Sequence, residues 1–89
     1  MVQFPQTIQA ESEVKIVPNP VSEYAMIHYP PQGETVQVVL SDLRGNSLKR
    51  WGDEGDGVTQ VWAGDLPAGM YFVTLQTAKQ KLYLKFMRE

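Results

Sequence analysis

The sequence predicts an all-β domain, an immunoglobulin-like β-sandwich of about seven antiparallel strands. Three observations carry this expectation. After residue 13 apolar residues alternate with polar ones at a period of two, and Gly and Pro punctuate the alternating runs at short intervals. No long window holds an i, i+3, i+4, i+7 apolar stripe, and the helix formers around Leu43, Arg44 and Lys49 are cut by Gly45. Strands that are apolar on one side only bury that side when two sheets pack face to face.

Each element follows in chain order. Residues 1–13 show neither period and read as linker or vector-derived residues, so the domain is expected to span residues 14–89. The first run is 14–17. Pro18-Asn19-Pro20 then makes a rigid corner, because two rings fix φ and the residue before a proline is biased away from the α region. The second run, 24–29, points Ala25, Ile27 and Tyr29 inward, and the third, 36–41, points Val36, Val38 and Leu40 inward with Gln37 outward. Asp42-Leu43-Arg44-Gly45-Asn46 is a hairpin turn in which the Asp42 side chain caps the backbone and Gly45 takes positive φ. Residues 47–51 and 58–62 are the fourth and fifth runs, joined by Gly52-Asp53-Glu54-Gly55-Asp56-Gly57, which reads as a flexible, solvated connection. Leu66-Pro67-Ala68-Gly69 forms a second rigid turn into the longest alternating run, 70–77, with Tyr71, Val73 and Leu75 inward and Thr74 and Gln76 outward. The last run, 81–87, turns Leu82, Leu84 and Phe86 inward and Lys81 and Lys85 outward. Each large apolar side chain buried in this way contributes about 1.5–3 kcal/mol, most of it offset by chain entropy.

Composition narrows the function. The 89 residues fit one domain, and the absence of Cys removes disulfides, thiolate metal sites and a Cys nucleophile together. Eight basic and ten acidic residues give a net charge of -2, which supplies no overall field toward nucleic acid or anionic lipid. No run approaches the ~18 apolar residues of a membrane span, and the start lacks the basic and apolar regions of a signal peptide. The chain is then either cytosolic or part of a longer exported protein whose targeting signal lies elsewhere. A lone His28, alternating with Tyr24 and Met26, reads as a surface residue, and there is no nucleophile motif, so catalysis and cofactors are not expected. The acids of residues 52–57 do not match a calcium-loop spacing. Trp51 and Trp62 suit core and cross-strand packing, or else an aromatic platform for a sugar or peptide. The tail sets Lys79, Lys81, Lys85 and Arg88 among Leu82, Tyr83, Leu84, Phe86 and Met87, either as a solvated edge protected by lysines or as a recognition strand.

Taken in order, Val17-Pro18-Asn19-Pro20-Val21-Ser22, Val39-Leu40-Ser41-Asp42-Leu43-Arg44-Gly45-Asn46-Ser47-Leu48, Leu66-Pro67-Ala68-Gly69-Met70-Tyr71-Phe72-Val73 and the basic-apolar final run resemble the C-terminal sorting domain of cargo proteins of the bacterial type IX secretion system. The resemblance covers roughly residues 14–89. It implies an immunoglobulin-like sandwich that directs an upstream cargo from the periplasm through an outer-membrane translocon. It also implies removal by a sortase-like peptidase at the cell surface, at a junction before Val14, with the cargo left at the outer-membrane surface or outside the cell. By position, Leu66, Pro67, Ala68, Gly69, Met70, Tyr71 and Phe72 match the motif before the penultimate strand, and Lys81, Lys85 and Arg88 lie in its terminal strand. These are the expected translocon contacts, with Pro18, Asn19, Pro20, Asp42 and Gly45 as turn motifs. Adjacent Tyr71 and Phe72 must face opposite ways, one into the core and one outward. The rival expectation is a stand-alone immunoglobulin-like adhesion or carbohydrate-binding module using Trp51, Trp62 and the acidic loop, and open edge strands leave a homodimer as a further expectation.

Overall fold

In residues 14–89, the part of the chain that the computed structural model describes, period-two alternation is realised as separate stretches of extended backbone joined by turns. The linker expected at residues 1–13 and the peptidase junction expected before Val14 lie outside those residues. Seven strands follow one another: β1 (Lys15–Val17), β2 (Tyr24–His28), β3 (Val36–Asp42), β4 (Ser47–Asp53), β5 (Val58–Trp62), β6 (Gly69–Gln76) and β7 (Lys81–Arg88). No helix occurs among the described residues. The strands form two antiparallel sheets, β1-β2-β5 and β4-β3-β6-β7, packed as a sandwich of immunoglobulin-like kind. β4 runs past Trp51 to Asp53 because β3 offers it partners as far back as Val36.

The inward residues expected from the sequence make the core. Ala25, Ile27, Tyr29, Val36, Val38, Leu40, Tyr71, Val73, Leu75, Leu82 and Phe86 are all buried. Leu84 is the exception. It pairs with Val73 on the core side, yet β7 is an edge strand and leaves it half-buried. Side-chain bonds cross between the layers: the Trp51 indole N–H donates to Thr59 Oγ1 at 2.9 Å, and Lys49 Nζ donates to the Trp62 carbonyl at 2.6 Å and to Asp65 at 2.8 Å. Thr59 is the one buried polar residue among those described, and this bond satisfies it, as burial of a hydroxyl requires.

The connection at residues 52–57 departs from expectation. It is docked against the β2–β3 loop and not free: Gly55 is buried, its carbonyl accepts from Gln32 N at 2.9 Å and Gly33 N at 3.4 Å, and the Gly57 carbonyl accepts from Tyr29 N at 2.9 Å. Gly55 and Gly57 are there for close approach and not for mobility. A Cβ on Gly55 would stand 1.9 Å from the Glu34 carbonyl oxygen, at a φ of 85° that only glycine adopts readily. Burial, followed by the hydrogen bond its hydroxyl donates to Asp53, pushes the Tyr29 phenol up to about 12.

Candidate recognition site

Strand register decides which motifs meet. Asp42 pairs with Tyr71, Tyr71 with Phe86, Met70 with Met87 and Gly69 with Arg88, so both turn motifs and the last residues of β7 gather at one end of the large sheet. Val21 joins them through a parallel bridge to Arg88, bringing the Pro18-Asn19-Pro20 corner to the same end.

The hairpin turn is built as its residues dictate. One Asp42 carboxylate oxygen accepts from Asn46 N at 3.0 Å and Arg44 N at 2.9 Å, and the other from Asn46 Nδ2 at 3.2 Å. The Asn46 backbone bond foremost holds the Asp42 carboxyl below the usual carboxylate range. Gly45 takes a φ of 89° and donates to the Asp42 carbonyl, leaving Leu43 at the tip 62% exposed. Across from it, Leu66 N donates to the Ala63 carbonyl at 3.1 Å, and the Tyr71 hydroxyl donates to the Pro67 carbonyl at 2.5 Å. Tyr71 itself is buried and stacked on Phe86, with ring centroids 5.7 Å apart. Between the two turns lies an open groove of about 230 Å³, lined by Leu43 and Arg44 on one side and Ala68, Gly69 and Met70 on the other.

The corner is tied to β7 by its asparagine. Asn19 Oδ1 accepts from Met87 N at 3.2 Å, Val21 N donates to the Met87 carbonyl at 2.7 Å, and Glu89 N donates to the Val21 carbonyl at 2.9 Å. Val21 is fully buried while Pro18 and Pro20 stay exposed.

The expected contact residues therefore divide. Ala68, Gly69 and Met70 line the groove, Pro67 before them is exposed and Leu66 packs half-buried against the core, while Tyr71 faces the core and Phe72 the outside, as their adjacency requires. Arg88 is committed to the fold: its Nε donates to the Ala63 carbonyl at 2.6 Å, Nη2 to Gly64 at 3.2 Å and Nη1 to the Glu89 carbonyl. Lys85 pairs with Phe72 on the outer face of the large sheet. Lys81 pairs with Gln76 at the opposite end, roughly 24 Å from Arg88 at ~3.4 Å per residue. Sequence reasoning missed Leu43, Tyr83 and Met87 as displayed residues, at 62%, 51% and 45% exposure. The alternation that exposed Lys81 and Lys85 carried the signal for Tyr83 and Met87.

The rival platform is not assembled. Trp51 lies half-buried in β4 of the large sheet, whereas Trp62 is exposed on β5 of the small one, tilted against Tyr24 with centroids 4.7 Å apart. Trp62 pairs with Tyr24 at the groove end and Val58 with His28 at the other, the end from which the acidic loop leaves β4. His28 is exposed, and among the described residues no three His, Cys, Asp or Glu gather in a metal-binding group. No helix there is long and apolar enough to cross a membrane. A family model described as the secretion system C-terminal sorting domain matches residues 15–89. Comparison with curated proteins finds no match.

Proposed function

Because the chain belongs to the family of type IX secretion C-terminal sorting domains, we propose that the turn-rich end of its sandwich is the surface the translocon reads. The observation that supports this is the convergence of the Pro18-Asn19-Pro20 corner, the Asp42–Gly45 turn, the Leu66–Gly69 turn and the end of β7 at one end of the fold. A receptor that meets folded cargo needs a fixed surface, and tight turns held by hydrogen bonds supply one without ordering cost on binding. Leu66, Pro67, Ala68 and Met70 with Leu43 form the contact, extended over the outer face by Phe72 and Lys85. Asp42, Gly45, Gly69, Tyr71, Asn19 and Arg88 position it.

The chain enters the domain at the opposite end, since Lys15 pairs with His28 and His28 with Val58. Cargo attached before Val14 then leaves the reading surface clear, and a sortase-like peptidase acting on the segment before Val14 frees the cargo at the outer-membrane surface after transit through the periplasm. The partners in this reading are the translocon, the peptidase and the cargo domain.

A reporter fused ahead of the chain, in a host that has the machinery, tests it. The fusion reaches the cell surface or medium, and the double variant Leu43→Glu with Met70→Glu, which keeps its circular dichroism and melting temperature, accumulates in the periplasm. Export of the folded double variant at the unaltered rate would overturn the assignment of this surface.

A further inference from the structure

β7 is an edge strand whose backbone is only partly covered. Met87 turns its N–H toward Asn19 and its carbonyl toward Val21, both away from β6. By antiparallel alternation the N–H and C=O groups of Lys81, Tyr83 and Lys85 point to that same open edge, and among the described residues no backbone group bonds to them. The chain's own addition to this edge stops at the corner: Pro20 has no N–H to offer, and Asn19 serves Met87 with a side-chain oxygen in place of backbone. The uncovered stretch carries Lys81, Tyr83 and Lys85 side by side on the outer face, all exposed, and neither lysine is in an ion pair among the described residues.

We propose that the open edge of β7 from Lys81 to Lys85 accepts an extended acidic segment of a partner protein as an added strand, with carboxylates opposite Lys81 and Lys85 and an aromatic or β-branched residue opposite Tyr83. This deepens the sorting reading and rests on it for the identity of the partner, a translocon protein. Register speaks against a second copy as the occupant. Two copies paired antiparallel about Tyr83 would set Lys81 opposite Lys85 twice, and like charges directly opposite are destabilising. Sliding by two residues one way sets Lys81 opposite Met87, where Val21 and Asn19 already hold the edge, and sliding the other way sets Lys79 opposite Lys85, again like charges. The lysines that repel a copy attract an acidic strand, whose carboxylates need the four-residue spacing of Lys81 and Lys85.

The probe is the peptide Thr-Glu-Thr-Tyr-Thr-Glu-Thr added to the full chain, read by amide hydrogen exchange and by titration. The amides of Lys81, Tyr83 and Lys85 slow on binding, whereas those of Leu82 and Leu84, already turned toward β6, do not change. The Lys81→Glu, Lys85→Glu double variant, on solvated positions, binds this peptide about tenfold more weakly and gains affinity for the lysine counterpart Thr-Lys-Thr-Tyr-Thr-Lys-Thr, as two reversed cross-strand charge pairs predict. Absence of exchange protection, equal binding of both peptides, or protection that instead grows with protein concentration through self-association would each overturn the proposal. The measurement reads strand addition directly, so it can fail while export through the turn-rich end persists.

Discussion

Gly45 and Gly55 form a matched pair for testing what the docked loop contributes. Their φ angles are nearly equal, 89° and 85°, but a Cβ on Gly45 meets nothing within 4 Å whereas one on Gly55 stands 1.9 Å from the Glu34 carbonyl oxygen. Alanine at either site incurs the left-handed penalty of about 1–2 kcal/mol, reduced by the entropy alanine removes from the unfolded chain, about 0.4–1 kcal/mol. Gly45→Ala should therefore cost about 1 kcal/mol. Gly55→Ala must in addition push the Glu34 backbone away, which breaks the bonds that Gln32 and Gly33 donate to the Gly55 carbonyl, worth about 1 kcal/mol each. The expected total is about 3 kcal/mol, and at roughly 4–8 °C per kcal/mol for a domain of this size the two melting temperatures should differ by more than 8 °C. Urea unfolding of both variants, at unchanged m-value, measures the difference. Equal losses would mean that the loop yields freely and that the contact at Glu34 holds nothing.

Three further outcomes are expected. The Tyr29 phenol is pushed from 10.0 to about 12, so the fold retains its proton more tightly than the unfolded chain; stability is fully present below pH 10 and is lost as pH rises through about 12, a decline of about 3 kcal/mol that Tyr29→Phe removes from the alkaline unfolding profile. Arg88→Met keeps the aliphatic stem but strips the Ala63 and Gly64 carbonyls of their guanidinium donor, and should lower stability by about 1–3 kcal/mol in the same denaturation assay, with Arg88→Lys recovering only part. Gly64→Ala places a methyl 2.4 Å from the Trp62 ring, so the indole must swing off Tyr24, seen as a changed tryptophan emission and near-ultraviolet dichroism; spectra identical to the parent would mean that backbone at Gly64 moves instead.

The strands and core were legible because both sheets are covered on one side only, and a period of two then reports burial directly. Tyr71 and Phe72 show how far this reaches: adjacency alone assigned them to opposite faces, and the pair divides into 6% and 38% exposure. The glycine-rich loop was misread because composition cannot separate a glycine kept for mobility from one kept for close approach, and Gly55 is of the second kind. The convergence of the turn motifs was hidden for a different reason. It depends on pairing between positions as distant as Val21 and Arg88, and no local pattern encodes that register.

That register also separates two roles that a family motif merges. The segment from Leu66 to Phe72 lies as one stretch within the matched residues 15–89, yet Tyr71 is a core ring stacked on Phe86 while Pro67 and Ala68 are open to solvent. Arg88 looks in sequence like the basic terminus a receptor would grip, and in the fold its donors are taken by three carbonyls. A loss of export on replacing Tyr71 or Arg88 would then follow from a loosened chain end and would say nothing about contact. Recognition is reported by residues whose removal costs the fold little, Leu43, Met70, Phe72 and Lys85 among them, and an export defect at those positions without a shift in melting temperature is what distinguishes a surface that is read from one that is merely held in place.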